Sequence, residues 1–333
     1  MRFGPVPLDQ ALGAVLAHSV PLPQGRLRKG LVLGADHLAA LAVAGRAEIT
    51  VARLDPGDVP EDAAALRLAQ ALVRGPGLRL QVVGTGRVNL HAEGPGVLEV
   101  AADAIHAVNA TDPMITVATL PEWQRVEPDV MAATVKIIAY AVPGAALDAA
   151  CAAGQGALAL HAPVLRSAVL VETLIADGPP APKGARVTAD RLDRLGLRLA
   201  AHVTVPHRAD ALRQALLDAP PADLVLILTG SATSDPMDVA PQALRLAGGQ
   251  VDHVGMPVDP GNLLFIGRLG GRPVIGLPGC ARSPALNGAD WVLERIACGL
   301  PVGAAQIVRM GVGGLLTEIP TRPRPRSRSE DRA

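Results

Sequence analysis

The sequence predicts an α/β protein in which a doubly wound, mostly parallel three-layer sheet follows a smaller mixed α/β domain. Strands of five to eight residues alternate with helices of 10–16 residues over residues 164–305. The run from Leu224 to Leu228 is wholly apolar, as expected of a strand buried on both faces. Residues 1–160 contain shorter elements of both kinds. We therefore expect domains at 1–160 and 164–305 and a tail at 306–333. From about residue 320 the tail is rich in Pro, Arg and Ser and is expected to be disordered.

In the first domain, apolar spacing and terminal residues define the elements. Residues 9–20 predict a short helix that runs into a strand, with Asp9 as its N-cap. Gly45 ends a second predicted helix, because glycine commonly follows a helix C-terminus. The other expected elements are helices at 35–44 and 61–75 and strands at 47–54, 78–86, 96–102 and 131–143.

In the second domain, strands and helices alternate strictly. Its expected strands are 167–173, 201–206, 222–230, 250–258 and 272–279. Its expected helices are 185–200, 207–219, 237–249 and 281–299. The Asp-Pro-Gly sequence at 259–261 predicts a loop within residues 255–267.

Composition excludes several classes of function. Aromatic residues are 2% of the chain, and 31 basic residues balance 31 acidic ones, so no nucleic-acid partner is expected. The longest strongly apolar run, 224–230, is far shorter than the roughly 20 residues that span a membrane. Three cysteines without CxxC spacing argue against a disulfide scaffold and a structural zinc site. No cleavable signal is expected at the start of the chain, and we expect a cytoplasmic protein with no membrane partner.

The first candidate site is the junction after the apolar strand at 222–230. Gly230 allows close backbone approach to a ligand, and the following helix start near 235–238 favours anions. Hydroxyl donors at this junction are Thr229, Ser231, Thr233 and Ser234. The alternative is a purely structural turn, with Ser234 or Asp235 as the helix cap.

The second candidate site is the junction at 274–288, where a strand again ends in a glycine-containing turn before a helix. Pro278 and Gly279 form the turn, and Arg282 and Ser283 stand near the helix start. Arginine suits a phosphate because its guanidinium can donate two parallel hydrogen bonds. A structural turn is the alternative here as well.

The first junction resembles a motif of the molybdopterin-binding domain of molybdenum-cofactor biosynthesis proteins. The usual sequence motif of that family is TGGxSxGxxD. Residues 229–238 align with it without gaps: Thr229, Gly230 and Asp238 match, and Thr233 replaces Ser. Ser231 and Asp235 stand where the family has glycine.

Two further motifs follow in the family's order. Pro260 and Gly261 match the start of PGKP, with Asn262 in place of Lys. Residues 277–279 match the first three letters of LPGNP, and the next two residues are Cys and Ala. The resemblance covers residues 164–305.

The first domain resembles the linker region of molybdopterin molybdotransferases in its opening, Ala11 to Ala17, and in residues 30–51. The sequences at 85–90 and 133–144 resemble those of a bacterial subgroup of this family, in which the molybdopterin-binding module often precedes a nucleotidyltransferase. The TGDE turn of the molybdotransferases is replaced by residues 170–178, in which Glu172 or Asp177 could substitute. Lys136 is expected either to snorkel at a strand edge or to face a ligand.

The resemblance implies that molybdopterin, or its molybdenum-loaded or nucleotide-bearing form, is the ligand. Its phosphate is expected on the turns at 230–233 and 279–283, paired with Arg282. The implied binding residues are Thr229, Gly230, Ser231, Thr233, Ser234, Pro260, Gly261, Asn262, Pro278, Gly279, Arg282 and Ser283. Asp238 is the implied catalytic residue, holding Mg²⁺ or orienting molybdate hydroxyls from about a turn inside its helix. The alternative is a carboxylate that only stabilises the helix start.

Three hypotheses about function remain open at this point. The chain either binds molybdopterin and hands it over during metal insertion or nucleotide attachment, or it is an active molybdopterin molybdotransferase. The third hypothesis is an unrelated small-molecule α/β enzyme. The resemblance also implies a homo-oligomer, with a nucleotidyltransferase or a molybdoenzyme maturation protein as partner.

Overall fold

The computed structural model describes residues 1–176, 182–259 and 261–316. Asp177, Pro260 and the tail from residue 320, for which the sequence makes predictions, lie outside the described residues. The chain divides into two compact units: residues 1–94 with 98–160, and residues 95–97 with those from 161 onward.

Short strands and helices alternate irregularly up to residue 161. The strands are β1 (Arg2–Pro7), β2 (Val15–Leu16), β3 (Val20–Leu22), β4 (Gly25–Leu27), β5 (Glu48–Arg53), β6 (Asp58–Pro60), β7 (Leu78–Gly84), β8 (Arg87–Ala92), β9 (Gly96–Val100), β10 (Ile115–Thr119), β11 (Gln124–Val126), β12 (Met131–Ile137), β13 (Ala141–Pro143) and β14 (Leu158–His161). The helices are α1 (Ala35–Val43), α2 (Glu61–Leu72), α3 (Ala102–Thr111) and α4 (Gly144–Ala153).

These strands form small sheets with the orders β1-β5-β2, β10-β12-β8-β7, β11-β9-β14, β13-β6 and β3-β4. One apolar core joins α2, α3 and α4 to the sheet of β7, β8, β10 and β12. A second, smaller core lies within residues 11–51. The mixed α/β character expected of this part of the chain is confirmed.

The short helix predicted at the start of residues 9–20 is wrong, whereas the strand predicted to follow it is present. Only Leu8–Gln10 form a single 3-10 turn, and β2 and β3 follow. Gly13 has a φ of +74°, which interrupts a right-handed helix. The N–H of Leu16 donates to the carbonyl of Leu31 at 2.8 Å, so tertiary pairing replaces helical hydrogen bonding.

The second unit is built on a six-stranded sheet with the order β16-β15-β17-β20-β19-β18. Its strands are β15 (Ser167–Leu174), β16 (Arg198–Pro206), β17 (Leu224–Leu228), β18 (Gln250–Met256), β19 (Asn262–Leu269) and β20 (Arg272–Leu277). Its helices are α5 (Pro182–Asp193), α6 (Ala209–Asp218), α7 (Val239–Leu246), α8 (Gly288–Ala297) and α9 (Ala304–Arg309). Strands β16, β15, β17 and β20 are parallel, whereas β19 and β18 continue the sheet antiparallel.

Helices cover both faces of this sheet, which confirms the doubly wound three-layer prediction. Side chains of α5 and α8 share one core with one face of the strands. Side chains of α6 and α7 share a second core with the other face. All five residues of β17 are buried, as its apolar sequence predicts.

Three differences from the prediction in this unit are larger than the rest. The apolar run from Asn262 forms β19, whereas the preceding Asp-Pro-Gly sequence predicts a loop. The helix expected from residue 281 begins at Gly288, after a 3-10 turn at Gly279–Arg282. The helix expected to reach residue 200 ends at Asp193, because Gly196 turns the chain with a φ of +70° and β16 begins at Arg198.

In the described part of the chain, every helix is too short or too polar to cross a membrane.

Candidate functional site

The three motif-bearing segments lie at one edge of the six-stranded sheet. Strands β17 and β20 are parallel neighbours whose last residues, Leu228 and Leu277, pair with each other. Strand β19 runs antiparallel to β20, so its first residue, Asn262, lies at the same edge. In open α/β sheets, ligands bind outside the carboxyl ends of the parallel strands. This edge is therefore the candidate site.

The turn between β17 and α7 is shaped by Asp238. Helix α7 begins at Val239, and the Asp238 carboxylate accepts hydrogen bonds from the N–H of Val239 at 2.7 Å and of Ser234 at 3.1 Å. Asp238 is therefore the helix cap and does not lie a turn inside the helix, and neither Ser234 nor Asp235 is the cap. Asp235 instead accepts the Met237 N–H at 2.7 Å within the turn.

The hydroxyl groups of this turn differ in their exposure. Thr229 and Thr233 are each 5% exposed, whereas Ser231 and Ser234 are exposed. The two serines are thus the hydroxyls of the turn that an incoming ligand reaches without rearrangement.

Gly230 is required by packing between β15 and β17. A Cβ atom at this position would lie 2.7 Å from the carbonyl oxygen of Thr173 and 3.2 Å from Ile175. The Gly230 N–H donates to the Thr173 hydroxyl at 2.9 Å. This close approach explains the glycine without a ligand.

The turn between β20 and α8 contains Pro278 and Gly279 at its start, then Arg282 and Ser283. The Arg282 guanidinium reaches back to the first turn, where Nη2 donates to the carbonyl of Thr229 at 3.0 Å. The same nitrogen donates to Glu172 Oε1 at 3.2 Å. Arg282 therefore joins the two predicted turns to the end of β15.

Glu172 is a buried carboxylate between two basic side chains. It is 2% exposed, and its second oxygen accepts a hydrogen bond from His202 Nε2 at 3.0 Å. Gly184 leaves room for it, since a Cβ there would lie 3.3 Å from Glu172 Oε1. Sequence reasoning identified Glu172 only as a substitute for the missing TGDE turn, and the pairing of Glu172 with His202 and Arg282 was not predicted.

A second polar contact lies on the opposite face of β15. Thr173 Oγ1 is 2.8 Å from His207 Nδ1. Consecutive strand residues point to opposite faces, so His202, which contacts Glu172, and His207 cannot share one metal ion. Beside His207, a pocket of about 400 Å³ opens at the carboxyl ends of β15 and β16, lined by residues 174–176 and 204–208.

The third motif segment contributes a buried amide. Asn262 is 6% exposed, and its Oδ1 accepts the Leu264 N–H at 3.2 Å. Its Nδ2 is buried and has no hydrogen-bond partner among the described residues. Gly261, with a φ of +88°, turns the chain into β19. Asn262 Nδ2 is therefore a buried donor without a hydrogen-bond partner in the part of the chain that the structure describes.

The loop that leads to Asn262 is held by the segment after α9. Asp259 adopts a φ of +42°, a conformation that is uncommon outside glycine. Its N–H donates to the carbonyl of Gly314 at 2.7 Å, and its carboxylate accepts the N–H of Leu316 at 3.0 Å. These contacts stabilise the loop in its left-handed turn.

Lys136 lies on β12 in the first unit. Strand β12 pairs with β8, which brings the sequence segments 85–90 and 133–144 together. Its ammonium donates to the carbonyl of Thr85 and lies 3.8 Å from Glu61 Oε2. Burial raises the pKa of Glu61 above its usual value. These contacts support a structural role for Lys136 at the β7–β8 turn.

The described residues contain no cluster of three or more His, Cys, Asp or Glu side chains that could hold a metal ion. Both oxygens of Asp238 accept backbone N–H groups. The donor set around Asp238 therefore does not fit the predicted Mg²⁺ site.

Comparisons with known proteins match two segments of the chain to family models. Residues 183–296 match the family described as "Probable molybdopterin binding domain". Residues 5–53 match a family described as "Domain of unknown function (DUF8806)". No curated protein matches the sequence.

Several solved structures are similar to this chain. The molybdopterin biosynthesis protein MoeA from Pyrococcus horikoshii is 15% identical with a TM-score of 0.34, over 90% of this chain and 75% of that one. Molybdenum cofactor biosynthesis protein B is 16% identical with a TM-score of 0.29, over 40% of this chain and 88% of that one. The protein CinA from Thermoplasma acidophilum, whose function is given as unknown, is 18% identical with a TM-score of 0.26, over 35% of this chain and 90% of that one.

Proposed function

We propose that this chain binds molybdopterin at the carboxyl edge of β15, β17 and β20, and holds or hands over the pterin during metal insertion or nucleotide attachment. The observation that carries the proposal is the Arg282 side chain, which joins the two turns that bear the family motifs. The match of residues 183–296 to a molybdopterin-binding family supports the choice of ligand.

The residues at this edge fit a phosphate-bearing ligand. Arg282 is an anion partner whose side chain is 32% exposed, so the guanidinium is both accessible and oriented. Exposed Ser231 and Ser234 supply hydroxyl donors, and Asn262 supplies a buried amide donor that has no partner among the described residues. These donors belong to three segments that lie at the same edge of the sheet, which favours recognition of an anionic ligand there.

Glu172 gives Arg282 a resting partner before the ligand arrives. A phosphate that approaches Arg282 competes with a carboxylate held by His202, so binding replaces one ion pair with another. The charge of Glu172 therefore limits affinity while it fixes the direction of the guanidinium. Such an arrangement suits a protein that releases its ligand to a partner.

The role of Asp238 as a helix cap favours binding or handing over above molybdotransferase activity as the proposed role. We propose a molybdenum-cofactor nucleotidyltransferase or a molybdoenzyme maturation protein as the recipient. We also propose a cytoplasmic homo-oligomer; the family resemblance supports these proposals. Release of AMP together with molybdenum insertion would instead establish transferase activity.

The test compares molybdopterin binding by the wild type, Arg282→Ala and the control Arg268→Ala. Arg268 is 58% exposed and lies on β19, six residues from Asn262 and about 20 Å away at 3.4 Å per residue. Calorimetry is expected to show at least about tenfold weaker binding for Arg282→Ala, equivalent to about 1.4 kcal/mol, and unchanged binding for Arg268→Ala. Equal affinities for all three proteins would remove Arg282 from the site and refute the proposal.

A further inference from the structure

A buried arginine, Arg191, donates hydrogen bonds to backbone carbonyls of the turn between β20 and α8. It lies on α5 with its side chain 5% exposed. Its Nη1 donates to the carbonyl of Ala281 at 2.7 Å, and its Nη2 donates to the carbonyls of Ser283 at 2.7 Å and Ala285 at 3.1 Å. The carbonyl groups of every second residue in this segment, 281, 283 and 285, thus accept hydrogen bonds from one guanidinium.

The fourth contact of Arg191 ties the turn to α8. Its Nε donates to Asp290 Oδ1. The other oxygen of Asp290 accepts the N–H of Asn287 at 2.8 Å, in the capping box that begins α8. The Asp290 side chain is 8% exposed, so this ion pair is buried and hydrogen-bonded on both sides. A buried ion pair of this kind contributes little to the free energy of unfolding, and its main effect is to hold one local geometry.

Arg282 lies between two of the carbonyls that Arg191 fixes, those of Ala281 and Ser283. The backbone of Arg282 is thus held on both sides, and from this position its side chain reaches Glu172 and the Thr229 carbonyl. A site residue held in advance by its supporting contacts binds without the entropy cost of being ordered.

We propose that Arg191 is the positioning residue of the site: it sets the turn so that Arg282 meets the anionic ligand. This inference rests on the proposed function for the identity of the ligand. Arg191 does not touch the ligand and acts through the turn and Arg282. Lysine cannot replace it, because a single ammonium on a flexible alkyl chain does not reproduce the planar guanidinium, whose nitrogens donate to four acceptors.

The test is a double-mutant cycle on molybdopterin affinity with the wild type, Arg191→Lys, Arg282→Ala and the double variant. Arg191→Lys is expected to weaken binding about tenfold when Arg282 is present, equivalent to about 1.4 kcal/mol. It is expected to have almost no effect in the Arg282→Ala background, because both changes remove the same interaction. Equal losses in both backgrounds would overturn the proposal.

Amide hydrogen exchange separates this inference from the proposed function. Arg191→Lys is expected to speed exchange in residues 280–287 with or without ligand, while Arg186→Lys, an exposed change on the same helix, leaves it unchanged. Unchanged exchange in Arg191→Lys would refute the positioning role even where the wild type binds molybdopterin. No binding by the wild type together with faster exchange in the variant would refute only the proposed function. If Arg191→Lys does not fold, Asp290→Asn replaces it in both measurements, with the same outcomes expected.

Discussion

Replacing Asp238 with alanine tests whether this residue is a helix cap or a charged catalytic group. The change removes hydrogen bonds to the N–H groups of Val239 and Ser234. Loss of an N-cap costs about 1 kcal/mol, and the longer bond to Ser234 adds about 0.5 kcal/mol. For a unit of this size, a loss of about 1.5 kcal/mol lowers the thermal midpoint by about 3–6 °C.

Asp238→Asn is the matched control, because asparagine caps helices as well as aspartate does. It keeps one acceptor oxygen for the N–H of Val239, but an amide nitrogen, which can only donate, replaces the oxygen that accepts the Ser234 N–H. It also removes the favourable charge at the start of α7, for which about 0.3–1 kcal/mol is typical. We expect the thermal midpoint of Asp238→Asn to lie between those of the wild type and Asp238→Ala, and we expect this variant to bind molybdopterin normally.

Circular dichroism melts and amide exchange in the first turn of α7 provide the measurements. Exchange is expected to increase there in Asp238→Ala and to increase less in Asp238→Asn, which keeps the bond to the Val239 N–H. An unchanged midpoint in Asp238→Ala would refute the capping role. Loss of ligand binding in the stably folded Asp238→Asn variant would show that the carboxylate charge is needed at the site.

Three further predictions follow from buried or paired groups. Gly276→Ala places a Cβ 1.9 Å from the buried Phe265 ring and should destabilise the protein by about 1–3 kcal/mol in denaturant melts, with Phe265→Leu in the same chain restoring most of the loss. Hydrogen bonds, of which the one from the Arg166 N–H has the largest effect, hold the pKa of the Asp223 carboxyl below its usual 3.8. The wild type should therefore be more stable than Asp223→Asn, by the full difference above about pH 5, and this difference should vanish as the pH falls through the lowered pKa. Glu172→Gln removes the charge that competes for the guanidinium and should strengthen molybdopterin binding about threefold, equivalent to about 0.7 kcal/mol, whereas weaker binding would contradict the competition between carboxylate and ligand.

Much of the second unit could be predicted because its signals are local. The apolar run of β17 and the strictly alternating strands and helices specify a parallel sheet covered on both faces. Strand β19 was missed because the Asp-Pro-Gly sequence indicates a turn, although the residues after it pair on both sides. The start of residues 9–20, where a short helix was expected, has good helical composition, but long-range pairing determines the structure of this segment.

Sequence could place the candidate segments but not the contacts between their side chains. Arg282 and Glu172 are 110 residues apart, and no local pattern indicates that they meet. Arg191 lies in a helix rich in charged residues, so its sequence context predicts a solvated side chain. Only the fold shows that it points inward and meets the carbonyls of a turn about 90 residues away.

Calorimetric titration of the purified protein with molybdopterin, with and without molybdate and Mg²⁺, followed by analysis of the recovered cofactor, tests the central claim most directly. Our account predicts saturable binding in every condition and recovery of the pterin without newly inserted molybdenum. Binding with newly loaded cofactor would show that the chain is a transferase. The absence of both heat and retained pterin would contradict the assignment of this edge of the sheet as a molybdopterin site.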